Sequence, residues 1–376
     1  MVERPVRQGM RPGSPGAGIT LLAALVVEGP AMPERIRLPG ISEDSFVSPT
    51  DRTALQNLQK VPLLPLLVQK FNELAVDQVL YVLNSSESVH CGPEQFPSLY
   101  QMLREACAIL DVPQPELYLR RGKEENAYTA GVKRTFIVLN SELVDHFDDA
   151  EILYVLGHEL GHVKCGHVLY QMMARLLMPL LESAGQATFG VGKLAGIGLV
   201  NAFYEWMRHA EFTCDRAGLL VCQDPEAAFR AIMKLGAGGS RFSTEMNVKA
   251  FLQQAREYSE AGGIEGVAKA LVFFFYQSQL SHPQVVARAR ALEQWVATGE
   301  FDRILAGEYM QDTRGPGWVD PDGGRTAAAG RGSSSRSAGK PGPLGVIPCP
   351  ACGELVSPLV SACRQCGAPL PGEEGV

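Results

Sequence analysis

No excess of positive charge runs through this chain. Its 34 lysines and arginines stand against 41 aspartates and glutamates, a net charge of -7, so the overall balance offers no attraction to nucleic acid or anionic lipid. No nucleic-acid partner is expected. A disulfide framework is also missing. Cys91, Cys107, Cys165, Cys214 and Cys222 are scattered, an odd, unpatterned set that fits reduced thiols in a cytoplasm better than bridges in an exported protein. Long hydrophobic runs are lacking as well. Ile19 to Val27 is too short to span a bilayer, and the apolar stretch 168–206 is interrupted by Arg175, Glu182 and Lys193, which favours buried helices or peripheral contact with a membrane surface over a spanning hairpin. There is no repeat of fixed period. Histidine is scarce, with seven in 376 residues.

What is present, 46% hydrophobic and 20% charged residues, is the composition of a folded soluble protein with length for one large core or two to three domains. Residues 1–50 read as a leader or extension. Arg4, Arg7 and Arg11 ahead of Ile19 to Val27 resemble a secretory signal, but Pro12 and Pro15 intervene and Glu28-Gly-Pro-Ala31 gives no clean cleavage site. Met32 is an alternative start, and an export signal stays open. Residues 51–310 carry the main domain. Helical spacing runs from about 51 to 111, clearest in Leu63 to Val76 and Phe96 to Leu110, until Asp111-Val-Pro-Gln-Pro115 breaks it. Glu116 to Arg120 and Thr135 to Leu139 read as strands of a small sheet, with Asn126-Ala-Tyr-Thr-Ala-Gly131 between them as an edge strand or a plain hairpin turn. Helices are expected over Pro225 to Leu235, Val248 to Tyr258 and Pro283 to Ala297, with Phe273-Phe-Phe-Tyr276 as a core element. The fold class is α+β, mostly α. After residue 311 the composition turns to Gly, Pro, Ser, Ala and Arg, a flexible linker over 311–346.

Three of the seven histidines and a glutamate fall in Leu156-Gly-His-Glu-Leu-Gly-His-Val-Lys-Cys-Gly-His167. Asp148 and Glu151 form a capping-box start for a helix through this stretch. On that helix His158 and His162, four apart, project from one face and can converge on one ion, with Glu159 toward the same cleft. Leu153, Leu156, Leu160 and Val163 form the opposite apolar stripe. A catalytic zinc takes three protein ligands and leaves the fourth position to water, so a third ligand must come from elsewhere. His167 lies about half a turn out of phase with the pair, and Val168 stands where a metzincin has its third histidine. Glu211 and Asp215 supply another answer, Glu211 as carboxylate ligand and Asp215 as hydrogen-bond acceptor of a ligating histidine. The alternative for both is a surface ion-pair network with Arg208 and Arg216.

Gly157-His-Glu-Leu-Gly-His162, Arg208-His-Ala-Glu-Phe-Thr-Cys-Asp215, Asn126-Ala-Tyr-Thr-Ala-Gly131 and Ser281-His-Pro-Gln-Val-Val-Ala-Arg288 together resemble the HtpX-like zinc metallopeptidases, relatives of the CAAX prenyl proteases. The resemblance spans roughly residues 50–300. It implies a zincin-type fold, catalytic zinc on His158, His162 and Glu211, and Glu159 as acid and base. It further implies His282 as oxyanion donor, Arg288 in support, polypeptide substrates, and a role in quality control of damaged or membrane-proximal proteins. Substrate would pair along the edge strand at Asn126, Ala127, Tyr128 and Gly131. The sequence departs from the family at Met207, where Ser is common, and in lacking clear spans between the zinc motifs. The competing functions are a non-catalytic zinc-binding adaptor and an integral-membrane prenyl-protein protease. A scaffold has no use for the base Glu159.

The remaining cysteines form two C-x-x-C-Gly knuckles, Cys349 with Cys352 and Cys363 with Cys366, within 347–372. Such doubling predicts a second, structural zinc on four thiolates, resembling a zinc ribbon. A module so short folds only with its metal. Contact with a protein partner is its expected use.

Overall fold

Buried apolar positions recur at helical spacing from the start of the main domain. The structure, a computed structural model, describes residues 35–61, 64, 68, 71, 76–124, 126–174, 191–238, 241–260, 284–312, 347–348 and 355–356, with side chains of the long central helix from residue 202 onward. Helix α1 (Pro49–Gln59) begins with proline in its first turn, where the missing N–H costs nothing. Residues 64, 68 and 71 are helical, and Leu64, Val68 and Phe71 are buried. Helix α2 spans Val76–Glu87 and α3 spans Pro97–Leu110. Between them the chain departs from the expected run of helix: Val89–Cys91 is strand β1, followed by a turn that pairs Gly92 with Gln95. Strand pairing overrides local spacing here. Asp111 ends α3 in a left-handed conformation, at the expected breaker.

Three further strands follow, β2 (Glu116–Arg120), β3 (Ala127–Ala130) and β4 (Phe136–Asn140). The sheet order is β1-β2-β4-β3, with β2 parallel to β4 and the other pairs antiparallel. Phe136, Ile137, Val138 and Leu139 are all buried, as a strand covered on both faces requires. Strands β1 and β3 are its two edges.

Two short steps, α4 (Ser141–His146) and Asp148, lead into α5 (Asp149–Lys164). The capping box forms: Asp148 N donates to Glu151 Oε2 at 2.8 Å and Glu151 N to Asp148 Oδ1 at 2.9 Å. The helix does not continue to His167. It ends at Lys164, turns through Gly166 at φ 69°, and restarts as a second helical stretch over 167–174. Helix α6 (Val191–Cys222) packs along α5. It is followed by α7 (Pro225–Ala237), α8 (Val248–Glu260), α9 (Val285–Ala297) and α10 (Glu300–Leu305). Strands β5 (Ile347–Pro348) and β6 (Leu355–Val356) form an antiparallel pair.

The described ends of the apolar stretch 168–206 belong to the core. Leu169, Met173, Phe203 and Trp206 pack with Phe71, Tyr118, Phe136 and Val138, each fully buried aliphatic or aromatic side chain contributing on the order of 1.5–3 kcal/mol. Residues 175–190, where a membrane contact was also expected, lie outside the described residues. Among those described, no helix is long and apolar enough to cross a membrane. The aromatic run at 273–276 also lies outside them.

Candidate metal centre

Helix α5 is buried all round from Glu151 to His162, so every polar group it carries must find a partner. At its start Glu151, 0% exposed, receives Arg230 Nε at 3.1 Å and Lys234 Nζ at 2.6 Å from α7. Farther along, glycines set the distance to α6. A Cβ on Gly157 would fall 2.6 Å from Val221 Cβ, and one on Gly161 would fall 2.9 Å from Ala217 Cβ. Their absence lets the two helices meet closely enough for His158, Glu159 and His162 to face Glu211, Cys214 and Asp215.

The two imidazoles converge on one carboxylate. His158 Nε2 is 3.4 Å from Glu211 Oε2 and His162 Nε2 is 3.5 Å from Glu211 Oε1. The other nitrogen of His158, Nδ1, lies 3.0 Å from Asp215 Oδ1. Asp215 is held in turn by Tyr154, whose hydroxyl donates to Oδ1 at 2.7 Å, and by Arg288, which donates from Nε to Oδ2 at 3.0 Å and from Nη2 to Oδ1 at 2.5 Å. Burial works against the charged form of Asp215, yet Arg288 and His158 hold its pKa down to about 2. Burial likewise works against a charged His158, but Asp215 and Glu211 raise it to about 9. His162 moves the other way, lowered chiefly by burial. Two buried carboxylates thus concentrate a demand for positive charge around His158.

A different set of groups meets the far edge of His162. Its Nδ1 is 3.3 Å from His167 Nδ1 and 3.1 Å from Gln171 Nε2. Cys214 Sγ lies 3.6 Å from His167 Nδ1, and donor atoms of Cys214, His158 and His162 fall within 4.8 Å of one another. Burial pushes the Cys214 thiol well above its usual range.

The sheet contributes the other wall. Thr129 on β3 donates from Oγ1 to Glu159 Oε2 at 2.6 Å. A cleft of about 160 Å³ is lined by Asn126, Ala127, His158, Glu159, Glu211 and Arg288, among others. Six of the expected site residues therefore share one cavity, with Asp215 and His162 directly behind it. Tyr128 and Gly131 do not line that cleft. The Tyr128 hydroxyl meets Arg120 Nη1 at 3.4 Å. Gly131, at φ 83°, closes the turn before β4, and a Cβ there would fall 2.1 Å from Arg134 O. His282 and the four cysteines Cys349, Cys352, Cys363 and Cys366 lie outside the described residues. Sequence reasoning passed over Thr129, Tyr154 and Gln171, and weighed His167 only as a metal ligand. Tyr154 precedes His158 by one helical turn, and Thr129 shares its strand face with Ala127, so spacing held a signal for both.

Comparison with known proteins places this geometry in a family. The chain is 34% identical over 271 residues to the plastoglobule-localized metallopeptidase 48, chloroplastic, of Arabidopsis thaliana, covering 70% of this chain and 76% of that protein. It is 24% identical over 229 residues to a protease HtpX homolog of Burkholderia thailandensis, covering 55% of this chain and 76% of the relative. A protease HtpX homolog of Bifidobacterium longum is likewise 24% identical over 225 residues, 54% of this chain and 71% of the relative. No solved structure matches the chain. The family model of peptidase family M48 matches residues 93–296, and the chain belongs to that family of metallopeptidases.

Proposed function

We propose that the chain is a zinc-dependent endopeptidase whose metal is held by His158, His162 and Glu211. The convergence of both Nε2 atoms on the two oxygens of Glu211, at 3.4 and 3.5 Å, carries this reading. Ligand atoms about 2.0–2.2 Å from a tetrahedral zinc stand roughly 3.3–3.6 Å from one another, so each histidine stands off a Glu211 oxygen by the length of one edge of such a site. Cys214 is the rival third donor. Its sulfur lies 3.6 Å from His167 Nδ1, whereas the Nε2 atoms of both ligand histidines meet the Glu211 carboxylate, and Glu211 is the better fit.

When bound, zinc supplies Lewis-acid chemistry beside Glu159, acidifying water and polarising a peptide carbonyl. Glu159 is the general base. Thr129 occupies its Oε2, which leaves Oε1 to take the proton from water and return it to the leaving amine. Asp215 accepts from His158 Nδ1 and so fixes which nitrogen of that ring faces the metal. Arg288 keeps Asp215 ionised and in place. An extended polypeptide adds to the outer edge of β3 beside Asn126 and Ala127, bound through its backbone with little side-chain selectivity. His282 serves as the oxyanion donor, a role taken from the family resemblance. Such loose selection suits unfolded or damaged proteins as substrates.

A second, structural zinc sits on Cys349, Cys352, Cys363 and Cys366. The pairing of β5 with β6 supports this, because the two strands flank, in sequence, the segment that holds the first C-x-x-C. The linker over 311–346 joins the ribbon to the peptidase domain.

Glu159→Gln tests the catalytic reading. The variant is expected to keep its metal and lose cleavage of an unfolded substrate such as casein. Equal cleavage by the variant and the wild type would overturn the assigned mechanism. Metal analysis of the full chain should return two equivalents of zinc, and one in the Cys349→Ser/Cys352→Ser variant.

A further inference from the structure

Each of the two histidines has a nitrogen turned away from Glu211, and the two are supported differently. His158 Nδ1 meets a carboxylate directly. His162 Nδ1 meets another imidazole, His167, which is 2% exposed and which the turn at Gly166 folds back against it. His167 Nε2 lies 3.2 Å from Asp51 Oδ2. Asp51, 1% exposed in the first turn of α1, accepts on the same oxygen from Thr213 Oγ1 at 2.6 Å, and Ser48 N donates to Thr213 Oγ1 at 3.0 Å. A buried carboxylate, a buried imidazole and the inner histidine therefore form one line from α1 to the site.

Proton bookkeeping gives that line a direction. A neutral imidazole that offers Nε2 to a metal carries its proton on Nδ1. His162 Nδ1 is then a donor and needs an acceptor. Gln171 presents Nε2 to it, and an amide nitrogen cannot accept. His167 Nδ1 can, provided its own proton is on Nε2, where Asp51 is placed to receive it. Asp51 thus selects the tautomer of His167, and His167 selects that of His162. The chain from carboxylate to histidine to histidine does at His162 what Asp215 does at His158.

We propose that His167, held by Asp51, is a positioning residue for the metal ligand His162, a role distinct from ligation. The proposal rests on the reading of His158, His162 and Glu211 as the zinc ligands.

The test uses cobalt(II) titration of the metal-depleted full-length chain. The weak visible bands of a nitrogen and oxygen site are read separately from the intense thiolate charge-transfer bands of the C-terminal cysteines, which serve as the internal reference. His167→Phe fills the same volume without an acceptor. It is expected to weaken cobalt binding at the nitrogen and oxygen site by about 10–100-fold, the usual effect of losing a partner behind a ligand. His167→Gln restores an acceptor and should recover part of that loss, and Asp51→Asn should weaken binding in the same direction. Thermal unfolding of each metal-depleted variant reports folding. Wild-type affinity in folded His167→Phe would overturn the proposal. So would wild-type affinity in Asp51→Asn, which decides the matter if the phenylalanine variant does not fold. A loss confined to Gln171→Leu would assign the acceptor to Gln171 instead and also overturn it. His162→Ala separates the two readings: if the nitrogen and oxygen bands survive in it, the ligand assignment itself has failed.

Discussion

Thr129 Oγ1 donates to Glu159 Oε2 at 2.6 Å and lies 3.3 Å from the carbonyl oxygen of the same residue. One hydroxyl has one proton, and the shorter contact to the charged oxygen claims it. The bond ties edge strand β3 to the H-E-x-x-H helix, so the strand that would carry substrate also orients the base.

Removing that bond without changing side-chain shape should therefore act on turnover. Thr129→Val is expected to lower kcat by about 10–100-fold, the equivalent of losing a hydrogen bond to a charged group worth roughly 1.5–3 kcal/mol. Zinc content should be unchanged, and Thr129→Ser should keep most of the activity. Steady-state kinetics on an unfolded protein substrate checks this. A valine variant with wild-type kcat would show that Glu159 is held by other means.

Arg288 answers a buried charge. Its guanidinium donates to both oxygens of Asp215, with both side chains almost fully buried. A lysine is a single point of charge and cannot span the two oxygens. Arg288→Lys should weaken metal binding by about tenfold or more. Arg288→Met should do the same and also leave Asp215 buried without its main partner, at a cost of about 3–5 kcal/mol in stability. Urea unfolding of the metal-depleted variants measures the second effect, and an unchanged midpoint for the methionine variant would contradict the pairing as described.

Local patterns made the fold and much of the site legible. The spacing of His158 and His162, the capping box at Asp148 and Glu151, and the breaker after Leu110 all depend on neighbours within a few residues, and each forms as spacing predicts. Contacts across the chain were harder. Only the close approach of α5 and α6 brings Glu211 and Asp215 to the histidines, and nothing in periodicity states that distance. On a continuous helix His167 falls out of phase with the pair; Gly166 ends that continuity and turns His167 back toward His162. Thr129 was hidden for another reason. Its motif was visible, but which strand residue meets Glu159 depends on how the sheet docks against the helix.

The scattered cysteines allow a prediction about chemistry outside the site. Burial pushes the Cys107 and Cys222 thiols up to about 12 and the Cys91 thiol up to about 11. At pH 8 a thiol of pKa 12 is ionised in roughly one molecule in ten thousand, and the thiolate is the reactive form. Iodoacetamide applied to the native chain should leave all three unlabelled on a timescale that labels each of them in denaturant. Peptide mass spectrometry reads the sites. Rapid labelling of Cys107 in the native chain would mean that the packing around α3 opens readily.

Gly157 offers a prediction in which two known effects have opposite signs. In an isolated helix, alanine is favoured over glycine by about 1 kcal/mol, so Gly157→Ala would stabilise α5 if nothing stood against it. Here the new methyl would lie 2.6 Å from Val221 Cβ and 3.0 Å from Gly218 Cα, and neither is the far end of a flexible side chain. Overpacking of this kind costs about 1–3 kcal/mol. The helices must separate, and α6 carries Glu211 and Asp215 with it. The variant should therefore melt at a lower temperature than the wild type and bind cobalt(II) more weakly. A higher melting temperature with unchanged metal affinity would mean that the distance between α5 and α6 is not set by this glycine.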